Sequence, residues 1–402
     1  MADIYEQLGV EPIINAKGPS TRLSGGRMRP EVAAAMAEAA QSCVDILALQ
    51  ARASEIIAGH TGAEAGLVTA GAAAALLLGT AACMTGLDPA AMAHLPDLRS
   101  RRDQAVMVRS QRNQYDHALR TAGVEIIAVG LADRFAGAGC RDAEPWEIDA
   151  AISERTALVH YVAGPTARPP LEAVVHVAHA RGVPVLVDAA AQLPPKANLR
   201  RFIATGADLV AFSGGKAIGG PQASGILCGR SNLVAAAALQ MLDMDYPEGM
   251  FEPPARFIDA GRLRGLPPHG IGRPCKVGKE QIVGLLAALD LFVQEDDACE
   301  LRRQLALLEQ LAADLDPIVE IDVSIRREDM PPVLVLEFRR NGTVAARELL
   351  LRLGRGRPAI HPDPREADQG RLLFSAACLG PLDPARIAGQ LRDLLAAGAV
   401  RP

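Results

Sequence analysis

The strongest constraint on this chain is an alternation. Short apolar runs at 65–69, 104–109, 124–129, 156–163, 183–188, 208–212 and 225–228 are separated for the most part by helical stretches at 115–122, 146–153, 171–181 and 197–205. Each run is long enough for one strand and apolar at consecutive positions rather than at every second one, which is the mark of strands covered on both faces. Strands of that kind, interleaved with helices, form a largely parallel sheet with helices packed on either side. Aromatic residues make up only 3% of the sequence. The core is therefore expected to be built from Ala, Leu, Val and Ile, and the abundant Ala favours helices that pack closely.

The flanks complete a three-part organisation. Residues 1–30 read as an irregular, Gly-rich arm containing Asn15-Ala16-Lys17-Gly18-Pro19-Ser20-Thr21-Arg22. A helix opens at Pro30, a residue suited to a first helical turn; another covers 46–60 and stops near Gly62, and Gly71 opens an Ala/Leu helix that runs to about Met84. The Pro- and Gly-rich segment 245–275 breaks the rhythm and reads as a long functional loop. One helix is expected over 278–314, followed by strands near 317–326, 332–339, 357–361 and 371–378 and helices near 343–353 and 384–397. The expected organisation is an arm over 1–30, a large α/β domain over 31–285 and a small α+β domain over 286–402.

Several classes of function are disfavoured at once. No run approaches the roughly 20 apolar residues needed to span a bilayer, and Met1-Ala2-Asp3-Ile4-Tyr5-Glu6 lacks the pattern of a secretory leader; a cytoplasmic protein without a membrane partner is expected. Lys and Arg number 42 against 47 Asp and Glu, a formal charge of −5, so nucleic acid is not the expected partner. Seven cysteines (Cys43, Cys83, Cys140, Cys228, Cys275, Cys299, Cys378) are scattered and form no CxxC pair. They argue against a zinc site or a disulfide framework, and most are expected as small buried hydrophobes.

The segment that carries chemistry runs from Val185-Leu186-Val187-Asp188 to Phe212-Ser213-Gly214-Gly215-Lys216. An acidic residue ends one buried strand, and a lysine follows the next in a Gly-rich turn. In a parallel α/β sheet the C-terminal ends of strands face the ligand crevice, so both side chains are directed at one site. Alone, Lys216 reads as a surface loop lysine and Asp188 as a cap. A nucleotide loop of the form GxxxxGK[ST] fails, because Val210 and Ala217 stand where Gly and Ser or Thr are required. Together, a lysine that can form a Schiff base and a carboxylate that can keep a pyridine nitrogen protonated fit pyridoxal 5′-phosphate (PLP) chemistry. The cofactor phosphate needs free N–H groups at a helix start, which Thr69-Ala70-Gly71-Ala72-Ala73 supplies, and Ser213 offers one more donor. Gly214, Gly215, Gly219 and Gly220 are expected to let the backbone approach the bound group.

With these residues in view, the sequence resembles the selenocysteine-synthase-like group of fold-type I PLP enzymes, and within it the D-glucosaminate-6-phosphate ammonia-lyase branch. The likeness rests on INAKGPSTRLSGG, TAGAAAA, VDAAAQLPP, FSGGKAIGGPQASG and HGIGRPCKVGKEQIVGLL and spans about residues 5–400. It implies an aspartate aminotransferase-like large domain with a mostly parallel sheet and a smaller α+β C-terminal domain. It implies that Lys216 carries the cofactor, that Asp188 pairs with its ring nitrogen, and that Gly71, Ala72 and Ser213 hold its phosphate. His117, then Tyr115, is the candidate for a ring stacked on the cofactor, with a capping or core role as the alternative, and Gln192 is a further cofactor contact. Arg273 and Lys276 are candidate substrate contacts, with a solvated basic face as the alternative; Arg22 and Thr21 are weaker candidates across a dimer interface. Arg371 is the favoured partner for a substrate carboxylate. Ser110 and Gln111 put neutral side chains where the branch commonly has a basic one, which counts against a phosphorylated substrate.

The expected function is a PLP-dependent lyase that eliminates water from a hydroxylated amino acid, with a sugar-derived one as a candidate, and releases a 2-oxo acid and ammonia. An amino-acid racemase or epimerase is the alternative. A selenium transferase acting on seryl-tRNA is less favoured, because the charge is acidic and the INAKGPSTR arm begins too early to leave room for an RNA-binding extension. At least a homodimer is expected.

Overall fold

The computed structural model describes residues 4–98, 102–131, 142–247, 249–316, 318–329, 331–339 and 342–396. Cys140, expected among the buried cysteines, lies outside them, as does the last residue of the helix expected over 384–397. In chain order the elements are α1 (Ile4–Gln7), β1 (Ile14–Ala16), α2 (Pro30–Ala39), α3 (Ile46–Thr61), β2 (Ala65–Thr69), α4 (Ala72–Thr85), α5 (Pro89–His94), β3 (Gln104–Val108), α6 (Asp116–Ala122), β4 (Glu125–Val129), α7 (Pro145–Ala151), β5 (Thr156–Val162), α8 (Leu171–Ala180), β6 (Val185–Asp188), α9 (Asn198–Ala204), β7 (Leu209–Ser213), β8 (Gly225–Gly229) and α10 (Ser231–Met241). They continue with α11 (Lys279–Gln294), α12 (Asp297–Leu315), β9 (Ile321–Arg326), β10 (Val333–Phe338), α13 (Gly342–Leu353), β11 (Ile360–Pro362), β12 (Arg371–Ser375) and α14 (Asp383–Ala396).

The chain divides into two compact units, residues 28–293 and residues 1–27 with 294–402. The first holds a seven-stranded sheet of order β2-β8-β7-β6-β5-β3-β4. Neighbours from β7 through β6, β5 and β3 to β4 pair in parallel, and β8 runs antiparallel to both β7 and β2. The sheet is therefore mostly parallel with one reversed strand. The continuous apolar runs have the expected cause: every residue of β2, β6 and β8 is buried. Helix α4 lies on one face, and every residue from Ala74 to Thr85 is buried. A helix can lack a polar face only where protein surrounds it. Small residues permit the close approach: a Cβ at Gly79 would sit 3.1 Å from Leu186 Cδ1 and 3.4 Å from Leu209 Cδ1.

The second unit holds a three-stranded antiparallel sheet of order β12-β10-β9, packed around Leu308, Leu311, Leu334, Leu336 and Phe374. The arm expected to be irregular contributes β1, which pairs in parallel with β11 from Ile14↔Ile360 to Ala16↔Pro362. Buried Asn15 fixes the turn that follows by donating to the carbonyls of Gly18 (3.1 Å) and Gly25 (2.8 Å).

Three further expectations are corrected. The helix expected over 278–314 is two helices, α11 and α12, because the Asp296 carboxylate accepts from Ala298 N–H at 3.2 Å and starts a new helix. Residues 231–241, to which the sequence pattern assigns no element, form helix α10. Among the described cysteines only Cys83, Cys228 and Cys378 are buried; Cys43 and Cys299 are exposed, since they sit in the loop before α3 and in the first turn of α12.

Glu366, between β11 and β12, is the electrostatic anchor of the second unit. It accepts from Arg326 through both oxygens (2.7 and 2.8 Å) and from Arg371 Nε (2.7 Å). The Arg326 hydrogen bonds, aided by Arg371, lower its pKa from 4.5 to about 2. A carboxylate held below its unfolded value stabilises the fold fully above the unfolded pKa and loses that contribution as the pH falls through the folded one. Glu366→Gln is expected to destabilise the protein at neutral pH by about 1–2 kcal/mol. It should also flatten the stability profile between pH 4.5 and about 2; urea unfolding across pH measures both effects.

Candidate active site

The register of the large sheet brings the chemistry-bearing residues to one edge. Thr69 of β2 pairs with Gly225 of β8, and Gly225 pairs with Ser213 of β7. Directly paired residues share a sheet face, so Thr69, Gly225 and Ser213 form one row. Asp188, the last residue of β6, pairs with Ala211, two residues before Ser213 and hence on the same face. That face is the one α4 covers, since Leu186 and Leu209, which meet Gly79, alternate in step with Asp188 and Ala211. The first turn of α4, Ser213 and Asp188 thus gather at the C-terminal ends of β6 and β7, and Lys216 lies three residues beyond β7.

The start of α4 is built as a cradle. Gly71 is its N-cap with φ +92°, a backbone conformation that glycine adopts without strain. Its N–H donates to Thr69 O at 2.9 Å, and Thr69 Oγ1 donates to its carbonyl at 3.0 Å. No side chain caps the helix and no acidic residue stands in its first turn. Its leading amides and positive dipole end are therefore available to an anion. Gly225 lies against this turn so closely that a Cβ there would sit 2.5 Å from the Gly71 carbonyl carbon and 2.7 Å from Ala72 N.

The lysine turn folds back on itself. Gly214 N–H donates to Ser224 O, Gly220 N–H to Gly214 O, and Gly219 N–H to Lys216 O, each at 2.9 Å. A Cβ at Gly214 would come 2.3 Å from Ser224 Oγ and 2.5 Å from Leu285 Cδ1, and one at Gly215 would come 2.5 Å from Gln222 Cα. Gly214 and Gly215 admit the chain's own 221–224 segment. Lys216 is half-buried, and burial pushes its ammonium below the usual lysine range, partly opposed by the Asp188 carboxylate. Asp188 is buried and accepts Ala190 N–H at 3.0 Å.

The sequence did not point to His160 of β5. It is 3% exposed and its Nδ1 has no hydrogen-bond partner. Val162, two residues on, pairs with Asp188, so His160 shares the face of the carboxylate. Burial lowers its pKa, against the pull of Asp188 and Asp116, and favours the neutral imidazole. A polar residue inside a buried strand was the only signal available.

The remaining candidates fare differently. Tyr115 and His117 are exposed; His117 contacts Arg120 Nη2 at 3.1 Å, and neither ring hydrogen-bonds to Lys216, Asp188 or Ser213. Gln192 is half-buried, and its carbonyl takes the Asn198 amide at 2.7 Å. Gln111 is fully occupied, accepting Val162 N–H at 2.9 Å and donating to Arg168 O at 3.2 Å. Arg273 donates to Asp243 at 2.6 Å. Asp243 is lowered to about 2 by the Asp245 N–H, Arg273 and His269. Arg273 and exposed Lys276 line a cavity of about 330 Å³ with Asp45, Met241 and Tyr246. Thr21 and Arg22 lie exposed on a 3-10 turn of the other unit, where Arg371 is already held by Glu366.

The central residues fit a cofactor that brings a phosphate to Gly71–Ala72, a carbonyl to Lys216 and a ring nitrogen to Asp188. Comparison with known proteins points the same way. Residues 48–243 match the family model SelA, L-seryl-tRNA selenium transferase. The chain is 33% identical to D-glucosaminate-6-phosphate ammonia lyase of Salmonella typhimurium over 73% of its length and 70% of that protein. It is 30% identical to 5′-C-glycyluridine monooxygenase-decarboxylase of a Streptomyces species over 97% and 92%. A solved structure of D-glucosaminate-6-phosphate ammonia-lyase superposes with a TM-score of 0.81 at 28% identity, covering 99% of this chain and all of that one. Serine palmitoyltransferase with a PLP internal aldimine shares the fold alone, with a TM-score of 0.52 at 14% identity over 96% of this chain and 87% of that one.

Gly225→Ala tests the cradle. The added methyl forces Gly71 and Ala72 away, at a cost of about 1–3 kcal/mol in stability. Affinity for PLP is expected to fall at least about tenfold, measured by fluorescence titration of protein whose far-UV dichroism is unchanged.

Proposed function

Because the chain belongs to the SelA family of fold-type I PLP enzymes, we propose that it is an ammonia-lyase-type enzyme that eliminates water from a hydroxylated amino acid. The observation that carries this reading is the placement of Lys216 and Asp188 at one sheet edge beside the Gly71–Ala72 cradle, in a chain of which 99% superposes on D-glucosaminate-6-phosphate ammonia-lyase. PLP bound there would supply an aldehyde for the substrate amine and a ring that takes up an electron pair.

The chain's own residues do the rest. Gly71, Ala72 and Ser213 anchor the phosphate. The Asp188 carboxylate keeps a proton on the ring nitrogen. Lys216, displaced by the substrate amine and lowered by burial, is a base suited to removing the Cα proton. Loss of that proton from Cα and of hydroxide from Cβ gives water and an enamine. Tautomerisation and hydrolysis then consume one water and release a 2-oxo acid and ammonia. Arg273 and Lys276, with Thr21 and Arg22 as weaker candidates, are proposed to contact the substrate's polar groups in a homodimer or larger homo-oligomer. Return of the proton to the opposite face of Cα would make the same site a racemase.

One observation favours a second reading. The monooxygenase-decarboxylase relative aligns over 97% of this chain, more than the lyase sequence does. A reaction in which the substrate loses its carboxylate as carbon dioxide and molecular oxygen serves as the oxidant is therefore tested beside the elimination.

The purified protein is expected to show a visible absorption band that borohydride abolishes and that Lys216→Ala lacks. Asp188→Asn should retain bound cofactor and lose about a hundredfold or more in turnover. D- and L-hydroxy amino acids are then screened for 2-oxo acid and ammonia, for loss of optical rotation without either product, and for oxygen uptake with carbon dioxide release. Absence of a band in PLP-saturated wild type refutes the cofactor reading, and oxygen-dependent carbon dioxide without ammonia replaces the lyase with the second reading.

A further inference from the structure

The opposite edge of the large sheet carries a second cavity, of about 470 Å³. Its walls come from the C-terminal end of α4, the segment leading into β6, Asp208 just before β7, and the start of α10 with Arg230. Lys216 and Asp188 stand at the other ends of β7 and β6, so this cavity does not belong to the site described above.

The polar part of the cavity is organised around Asp208, whose side chain is 2% exposed. Its Oδ2 accepts Val185 N–H and His179 Nε2, each at 2.8 Å, and its Oδ1 accepts Arg230 Nη1 at 3.1 Å. One buried carboxylate thus orients a guanidinium and an imidazole whose other nitrogens are not engaged by it. Arg102 lines the same cavity and has no partner among the described residues. Two guanidiniums against one carboxylate leave a surplus positive charge before His179 is counted. Asn232 stands in the first turn of α10, an 11-residue helix whose leading N–H, that of Ser231, is already taken by Glu64 at 2.9 Å, and adds an amide side chain to the donor side. The remaining wall, Ala82, Met84, Val183, Pro184 and Leu233, is apolar. The volume exceeds what a bare anion fills and lies in the range of small-molecule sites.

We propose that this cavity binds a small organic phosphate, its phosphoryl group held by Arg102, Arg230 and Asn232 and its body lying on the apolar wall. Helix α4 joins the two ends of the sheet: its first turn forms the cradle and its last turn lines this cavity, about 21 Å away at 1.5 Å per residue. A ligand bound here therefore lies away from the cradle and is not the substrate of the site described above.

The test uses protein saturated with PLP and reduced with borohydride, so that the cradle is filled, alongside untreated protein. Inorganic phosphate, AMP and glucose 6-phosphate serve as calorimetric probes. Saturable binding of at least one organic probe, tighter than inorganic phosphate, is expected in both preparations. Arg102→Ala and the near-isosteric Asn232→Asp, which sets a negative charge in the pocket, should each weaken it about tenfold or more. Neither variant touches Asp208, and an unchanged melting temperature shows that each is folded. The proposal is overturned if no organic probe saturates, if none binds more tightly than inorganic phosphate, or if either folded variant binds as the wild type does. Because the readout is binding at the far edge, failure here leaves the PLP reading intact, and loss of the PLP reading leaves this one testable.

Discussion

Helix α4 is the part on which the rest of the site depends. With every residue from Ala74 to Thr85 buried, it has no orientation that exposes a polar stripe to water, so its position is set by packing alone. Gly79 lets it settle on Leu186 and Leu209, in the strands that carry Asp188 and lead to Lys216. Burial therefore does positional work: the contact that fixes the helix against β6 and β7 also fixes the distance from its first amides to the two reactive side chains. A polar substitution in α4 would lose desolvation energy and at the same time release the geometry of the cradle.

The glycines divide into two groups under this constraint. Gly71 is required by its own backbone, at φ +92°, and Gly225 by the nearness of Gly71 and Ala72. Both act directly on the anion cradle. Gly214 and Gly215 act on the turn that carries the lysine, where they admit the segment 221–224, and Lys216 itself stands partly out of water. Asp188 works against the desolvation of Lys216, so the amine is lowered by burial while a carboxylate nearby still favours its charged form. That balance suits a group that must both bond to a carbonyl and carry a proton.

Much of this was legible in the sequence, for identifiable reasons. The strands of the large sheet are buried on both faces and so stand out as unbroken apolar runs; Asp188 stands out because it ends such a run, and Lys216 because it follows one across a Ser-Gly-Gly turn. Helix α10 leaves no helical period because Leu233–Met241 is buried throughout and apolar at every position but Gln240. The break between α11 and α12 was missed because Glu295-Asp296-Asp297 reads as a polar helix face until Asp296 is seen capping Ala298. Strand β1 was read as irregular because its partner, β11, lies more than three hundred residues away. His160 had no spacing pattern to announce it; only the register of β5 on β6 sets it on the face of Asp188.

Every group proposed to move or hold a proton lies in the unit 28–293. The basic residues that would select a substrate differ in how far they are already committed. Arg371 is bound to Glu366, and Glu366 is also gripped by Arg326 through both oxygens, so releasing Arg371 would break a network that stabilises the second unit. Gln111 is locked at both ends of its amide. Arg273, by contrast, is paired with an Asp243 side chain that is 57% exposed, a partner that an incoming substrate anion can replace at little cost. Lys276 is exposed beside it. Of the basic residues proposed to meet a substrate, Arg273 and Lys276 are therefore the least committed to the fold, and a substrate anion at the 273–276 turn would exchange with the Asp243 contact.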